Sequence, residues 1–168
     1  MKMVEGDVEE QWLMGPWENP VKAPVPGSVH TALFQTGIIP FPYLGRNQTS
    51  TKPWSFKTYY YKKIFPRPPK GQDETLVFDG ICNRCTIYLN GVNLGRHEGM
   101  FTSFKYSVRD LLKDENTLVV KLEPSVSRWE TTVVFNNSWG WHYSMFPPLG
   151  IWRSVSNHGG QSCDDRRG

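Results

Sequence analysis

Several things that would narrow the function quickly are scarce or missing in this sequence. Its 168 residues hold only three cysteines, Cys82, Cys85 and Cys163. A chain of this length can bury a proper core as one domain without disulfides or metal. No hydrophobic run approaches the length of a transmembrane helix, so no membrane partner is expected. The polar start MKMVEGDVEEQ lacks the pattern of a signal peptide. Charge of one sign is missing too: 19 basic against 16 acidic residues leave a net +3. That is too small and too scattered to suggest nucleic acid. Internal repeats are absent. Aromatics, by contrast, are plentiful, with seven Trp, seven Tyr and nine Phe. They suit a β-sandwich core or, where exposed, flat apolar ligands such as sugar rings.

Two of the cysteines form the spacing Cys82-Asn83-Arg84-Cys85. A zinc site would need a second ligand pair at a suitable distance in sequence, and none is present, so neither metal nor cofactor is expected. A redox pair places its first cysteine at a helix N-terminus, whereas Cys82 falls in a strand. Three positions apart on a strand, the two point to opposite faces. Both read as buried small hydrophobes. Asn47-Gln48-Thr49 and Asn136-Asn137-Ser138 have the form of glycosylation sequons and read as chance matches.

The organising stretch is 76–122. Leu76-Val77-Phe78 is an apolar run that breaks at Asp79-Gly80. Cys85, Ile87 and Leu89 then alternate with Arg84, Thr86 and Tyr88, the period-two pattern of a strand with one buried face. Asn90-Gly91 follows. It is the strongest short hairpin signal, because both central residues of a type I′ turn need positive φ. The outgoing arm is expected to end at Gly95. Phe104, Tyr106 and Val108 alternate again. Leu118, Val120 and Leu122 form a last strand after a turn at Asp114-Glu115-Asn116. So many antiparallel strands in so short a stretch imply an all-β sandwich.

Elsewhere the signals are local. Residues 1–11 are acidic and expected to be disordered. Trp12, Leu13 and Trp17 are expected to form a first edge strand. Ser28 is a good N-cap for a short helix over 29–36, with Val29, Ala32 and Leu33 on one face and Gly37 closing it. Two prolines make 38–43 extended. Residues 44–53 read as a polar loop, 54–65 as a strand, and 66–73 as a turn. Trp139 to Arg153, WGWHYSMFPPLGIWR, reads as a structured aromatic loop leading into a strand over 151–155. The final SNHGGQSCDDRRG, residues 156–168, reads as a disordered polar tail.

Four segments together resemble one known family. They are VPGSVHTALFQTGIIPFPYLGRN at 25–47, the strand pair between LVFDGI and EGMFTSF at 76–104, DLL with ENTLVV at 110–120, and PPLGIWRSV at 147–155. In this order they resemble the N-terminal, galactose-binding-like jelly-roll domain of glycoside hydrolase family 2 enzymes, most closely the β-mannosidase branch. The resemblance covers roughly residues 12–155. It implies a galactose-binding-domain-like jelly-roll β-sandwich with one or two short helices. Retaining hydrolysis needs two carboxylic acids about 5–5.5 Å apart. In the family both are glutamates on a barrel that follows this domain, so the resemblance implies no catalytic residue here. Asp79, Asp110 and Glu115 lie at turn and loop positions, where carboxylates cap or solvate.

What the family's domain supplies is one edge of the sugar pocket. A GWDW loop ahead of the GIWR strand reaches the barrel mouth and contacts the terminal sugar. The matching residues are Gly140, Trp141, His142 and Tyr143, with Trp139 beside them. The resemblance therefore makes Trp139, Trp141, His142 and Tyr143 the candidate substrate-binding residues. At the acidic position His142 offers one donor and one acceptor, whereas an aspartate accepts from two hydroxyls. The spacing to GIWR is one residue shorter. Arg153 is expected to anchor structure by pairing a carboxylate or carbonyls at the domain–barrel junction, and Trp152 to lie in the core. His97 and His30 are expected to serve packing or surface roles. After Val155 the family adds a further strand, and its expected absence here would leave a sheet edge open.

The resulting expectation is a non-catalytic N-terminal domain of a β-mannosidase-like enzyme, with a terminal β-glycoside and the enzyme's own barrel as partners. A free-standing carbohydrate-binding module and a structural interaction domain are the alternatives. Apolar surface left without a barrel would favour self-association.

Overall fold

The computed structural model describes residues 12–15, 19–68, 74–124 and 148–159. Among the described residues, eleven strands run β1 Leu13–Met14, β2 Val21–Lys22, β3 Tyr59–Pro66, β4 Glu74–Phe78, β5 Ile81–Cys82, β6 Arg84–Leu89, β7 Val92–Glu98, β8 Phe104–Ser107, β9 Glu115–Glu123, β10 Gly150–Ile151 and β11 Val155–Gly159. They form a six-stranded sheet in the order β2-β1-β3-β9-β6-β7, a three-stranded sheet β11-β4-β8, and the pair β10-β5. Every pairing is antiparallel.

The alternation read from sequence sets the buried face. Tyr61, Val120 and Ile87 lie side by side across β3, β9 and β6, and Tyr59, Leu122 and Cys85 form the next rung. All six are buried. From the other sheet Leu76, Phe78 and Val155 join the same apolar cluster. Fully burying a side chain such as Ile87 contributes roughly 1.5–3 kcal/mol. The Asn90-Gly91 turn has φ of 52° and 85°, as the type I′ reading requires.

Helix α1, Val29–Gln35, matches the capping signal: the Ser28 hydroxyl accepts from the Thr31 amide at 3.0 Å. It buries Val29, His30, Ala32 and Leu33. Gly37 ends it at φ 73°.

Several expectations are corrected. The edge strand is β2, and Leu13 sits one strand further in. Trp12 is core, and Trp17 lies outside the described residues. Residues 38–43 are not one extended run: 38–39 bend and 42–43 turn, and the Ile38 and Ile39 amides both donate back to the Leu33 carbonyl, so the chain folds over the end of α1. The polar loop contains helix α2, Asn47–Thr51. Its Ser50 and Thr51 hydroxyls donate to the Asn47 carbonyl, local bonds that serve where propensity is weak. Trp54 falls in the 3₁₀ turn Lys52–Phe56, and the strand expected from 54 starts at Tyr59. β7 does not end at Gly95; it passes a bulge opposite Ile87 and Tyr88 and continues to Glu98. There Gly95, at φ 147°, lets the Tyr106 hydroxyl cover its backbone.

The strand expected over 151–155 is two strands. β10 pairs with β5, and β11 runs to Gly159 along the whole of β4. The missing last strand is therefore present through Gly159, and the three-stranded sheet uses the first residues of the stretch read as tail.

Candidate functional site

Trp139, Trp141, His142 and Tyr143, the residues expected to face a sugar, lie outside the described residues. What the structure shows is how the chain on either side of them is held. Pro124 follows the end of β9, and its carbonyl accepts from Arg84 Nη2 at 3.4 Å. Pro148, where description resumes, gives its carbonyl to the Cys82 thiol at 3.4 Å. Both ends of 125–147 are thus fixed by one corner, Cys82 to Arg84, between β5 and β6.

The returning end is bound on two sides. Gly150 and Ile151 pair with Cys82 and Ile81. On the other side, the Gly27 amide donates to the Ile151 carbonyl at 2.8 Å and the Val29 amide to the Leu149 carbonyl at 2.9 Å. The approach is close enough to exclude side chains: a Cβ on Gly150, whose φ is 155°, would sit 2.5 Å from the Gly27 carbonyl oxygen. PGS at 26–28 and LGI at 149–151 are two of the motifs that carry the family resemblance. Here they meet as backbone against backbone, more than a hundred residues apart in the chain.

The Cys82-Asn83-Arg84-Cys85 spacing is scaffold. Both thiols are buried and free, and burial pushes each pKa up to about 12. Such thiols are poor nucleophiles and poor metal ligands at neutral pH. Among the described residues no group of three His, Cys, Asp or Glu is placed to hold a metal ion, and no helix is long and apolar enough to cross a membrane.

The remaining polar residues take structural places. Asp79 Oδ2 accepts from the Ser154 hydroxyl at 2.6 Å. Asp110 and Glu115 are exposed. His30 is buried beside the Thr51 carbonyl at 3.3 Å and the Ser55 hydroxyl at 3.4 Å. Desolvation lowers its pKa, and the bond to Thr51 opposes that in part. His97 stacks on Phe104 with ring centres 3.8 Å apart.

One expectation fails here: Trp152 is half-buried rather than core, with its indole N–H donating to the Met100 carbonyl at 3.0 Å. Arg153 is exposed, and its guanidinium lies 4.3 Å from the centre of the Trp152 ring; a partner on a barrel would lie beyond this chain. Sequence reasoning also missed Gly27, Gly150, Cys82 and Arg84 as the residues that hold the chain at Pro124 and at 148–151. The signal available was a glycine after proline in one motif and close after one in the other, each able to let two backbones touch.

An antiparallel jelly roll with a short capped helix, whose first amide bonds the chain entering its GIWR strand, is the fold of a galactose-binding-like domain. The profile described as "Glycosyl hydrolase 2 galactose-binding domain-like" matches residues 5–134. The chain belongs to that family. A rat β-mannosidase is 30% identical over 165 residues, covering 79% of this chain and 19% of its own length. β-Mannosidase B of Thermothelomyces thermophilus is 30% identical over 120 residues, covering 68% and 14%. Among solved structures, β-D-mannosidase from Dictyoglomus thermophilum superposes with TM-score 0.76 at 28% identity, covering 95% of this chain and 23% of that one. A Bacteroides uniformis β-glucuronidase, at 18% identity and TM-score 0.59, shares the fold; it covers 88% of this chain and 17% of its own. The chain thus spans about a fifth of the length of the mammalian β-mannosidases it matches.

Proposed function

We propose that the chain acts as the non-catalytic N-terminal domain of a retaining β-glycosidase of β-mannosidase type. In that role it packs on a catalytic barrel and frames the pocket for a terminal β-glycoside. The observation that carries this reading is the superposition of 95% of the chain on 23% of a β-D-mannosidase. The anchoring of 125–147 supports it. A rigid corner and a backbone clamp hold both ends of the segment that bears Trp139, Trp141, His142 and Tyr143. Residues that meet a sugar need such support, since a misplacement of about 1 Å costs orders of magnitude in rate. Within the pocket, Trp141 stacks on the sugar and His142 bonds its hydroxyls.

The purified chain should release no nitrophenol from nitrophenyl β-mannoside above the uncatalysed rate. Turnover that persists through further purification, and is lost on changing a carboxylate of this chain, would overturn the reading.

A further inference from the structure

Among the described residues, the surface carries an open cleft of about 490 Å³ lined by Pro26, Asp79, Phe101, Ser103, Trp152, Arg153 and Ser154. We propose that this cleft is a carbohydrate subsite that takes one neutral pyranose ring.

The argument starts from its walls. Phe101 lies in the turn before β8, and nearly half of its surface is exposed, at 46%. Its ring meets that of Trp152 edge-on, with centres 5.7 Å apart and planes at 81°. The two make a right-angled aromatic corner. One face of Trp152 is covered by the Arg153 guanidinium, and its N–H is used by Met100. Phe101 therefore supplies the open apolar face. Gly80 makes the corner possible: a Cβ there would sit 2.8 Å from the Trp152 indole nitrogen.

The polar groups are fixed as well. The Asp79 amide donates to the Ser154 carbonyl at 3.0 Å, and the Arg153 amide to the Gly80 carbonyl at 3.3 Å. With Oδ2 of Asp79 held by Ser154, Oδ1 has no donor among the described residues and remains an acceptor. Stacking on Trp152 fixes the Arg153 guanidinium while leaving its N–H donors at the rim. Ser103 adds an exposed hydroxyl. Acceptor, donor and apolar plane converge on one cleft of the size that small ligands use. A pyranose ring has the matching surface, with C–H groups for Phe101 and a rim of hydroxyls that both donate and accept. One carboxylate and one guanidinium balance each other, so the site favours a neutral ring.

This inference uses no residue of 139–143 and does not rest on the proposed enzyme role. Its test is titration of the isotope-labelled chain with methyl β-mannoside, methyl β-glucoside and glucuronate, followed by amide NMR. The expected result is saturable shifts at Asp79, Ser103 and Arg153, with millimolar dissociation constants for a neutral glycoside. Phe101→Ala should weaken that binding about tenfold, and Trp141→Ala should leave it unchanged. No saturable shift at these residues up to about 50 mM would overturn the proposal. So would binding indifferent to Phe101→Ala, or tighter binding of glucuronate. Loss of binding on Trp141→Ala alone would place the sugar on the aromatic segment, which sinks the cleft and leaves the proposed function standing.

Discussion

Asn90 carries two separable loads, and a pair of substitutions should tell them apart. Its backbone sits at φ 52°, where a side chain is disfavoured by about 1–2 kcal/mol for residues other than glycine and, to a lesser degree, asparagine. Its side chain also ties three elements together. Nδ2 donates to the Leu111 carbonyl at 2.7 Å and to Asn116 Oδ1 at 2.9 Å, and Oδ1 accepts from the Thr117 amide at 2.9 Å. Asn116 is fully buried, and its own side chain clasps Lys113. Each such bond contributes about 1 kcal/mol net, and more when a buried partner is left unmet. Asn90→Ala loses both loads and should cost about 3–5 kcal/mol. Asn90→Gly keeps the turn geometry and should cost about 2–3 kcal/mol. Urea unfolding followed by tryptophan fluorescence reads both, through the midpoint at unchanged slope. An Asn90→Gly chain within about 0.5 kcal/mol of the parent would refute the hydrogen-bond account. Equal losses for alanine and glycine would refute the conformational one.

Further outcomes follow from the same structure. Gly150→Ala should destabilise by about 2–4 kcal/mol in the same assay, because its Cβ meets the Gly27 backbone and cannot turn aside; a loss below about 1 kcal/mol would mean the clamp yields easily. Cys82 and Cys85 should resist alkylation at pH 8 in the folded chain and react once it is unfolded, as thiols with pKa near 12 should, which mass spectrometry counts directly. His30 is held neutral in the fold, with a pKa below its ordinary 6.5. The unfolded chain therefore takes up a proton first as pH falls. Stability from this residue is complete above 6.5 and declines as pH drops through 6.5 toward the lowered folded value. Between pH 7 and pH 5, His30→Gln should show a flatter stability profile than the parent.

Features set by neighbours in the chain were legible in the sequence. Ser28 announced its helix, Asn90-Gly91 its turn, and alternation marked the buried faces of β6 and β9. Features set by distant contacts were hidden. Helix α2 has the sequence NQTST, which no propensity scale favours; Thr51 is buried beside His30 and its hydroxyl closes the turn. β11 reads as polar tail, yet its backbone is specified by the full edge of β4. The two-residue strands β5 and β10 are too short for any period to show. Of the candidate site, the residue types were readable through resemblance alone. The burial of Cys82 and Cys85 was legible, since the spacing offered neither a second ligand pair nor a helix N-terminus; that their corner holds both ends of the segment was not, because the bonds to Pro124 and Pro148 join residues 40 and 66 positions apart.

The central claim is that this chain presents Trp141 to a sugar held by a catalytic barrel. The direct measurement is kinetic, on a hybrid in which this chain replaces the matching part of the Dictyoglomus β-D-mannosidase. Losing one stacking contact should raise KM for nitrophenyl β-mannoside about tenfold in the Trp141→Ala hybrid, with kcat changed by less than about twofold. An active hybrid whose KM is the same with and without Trp141 would contradict the account.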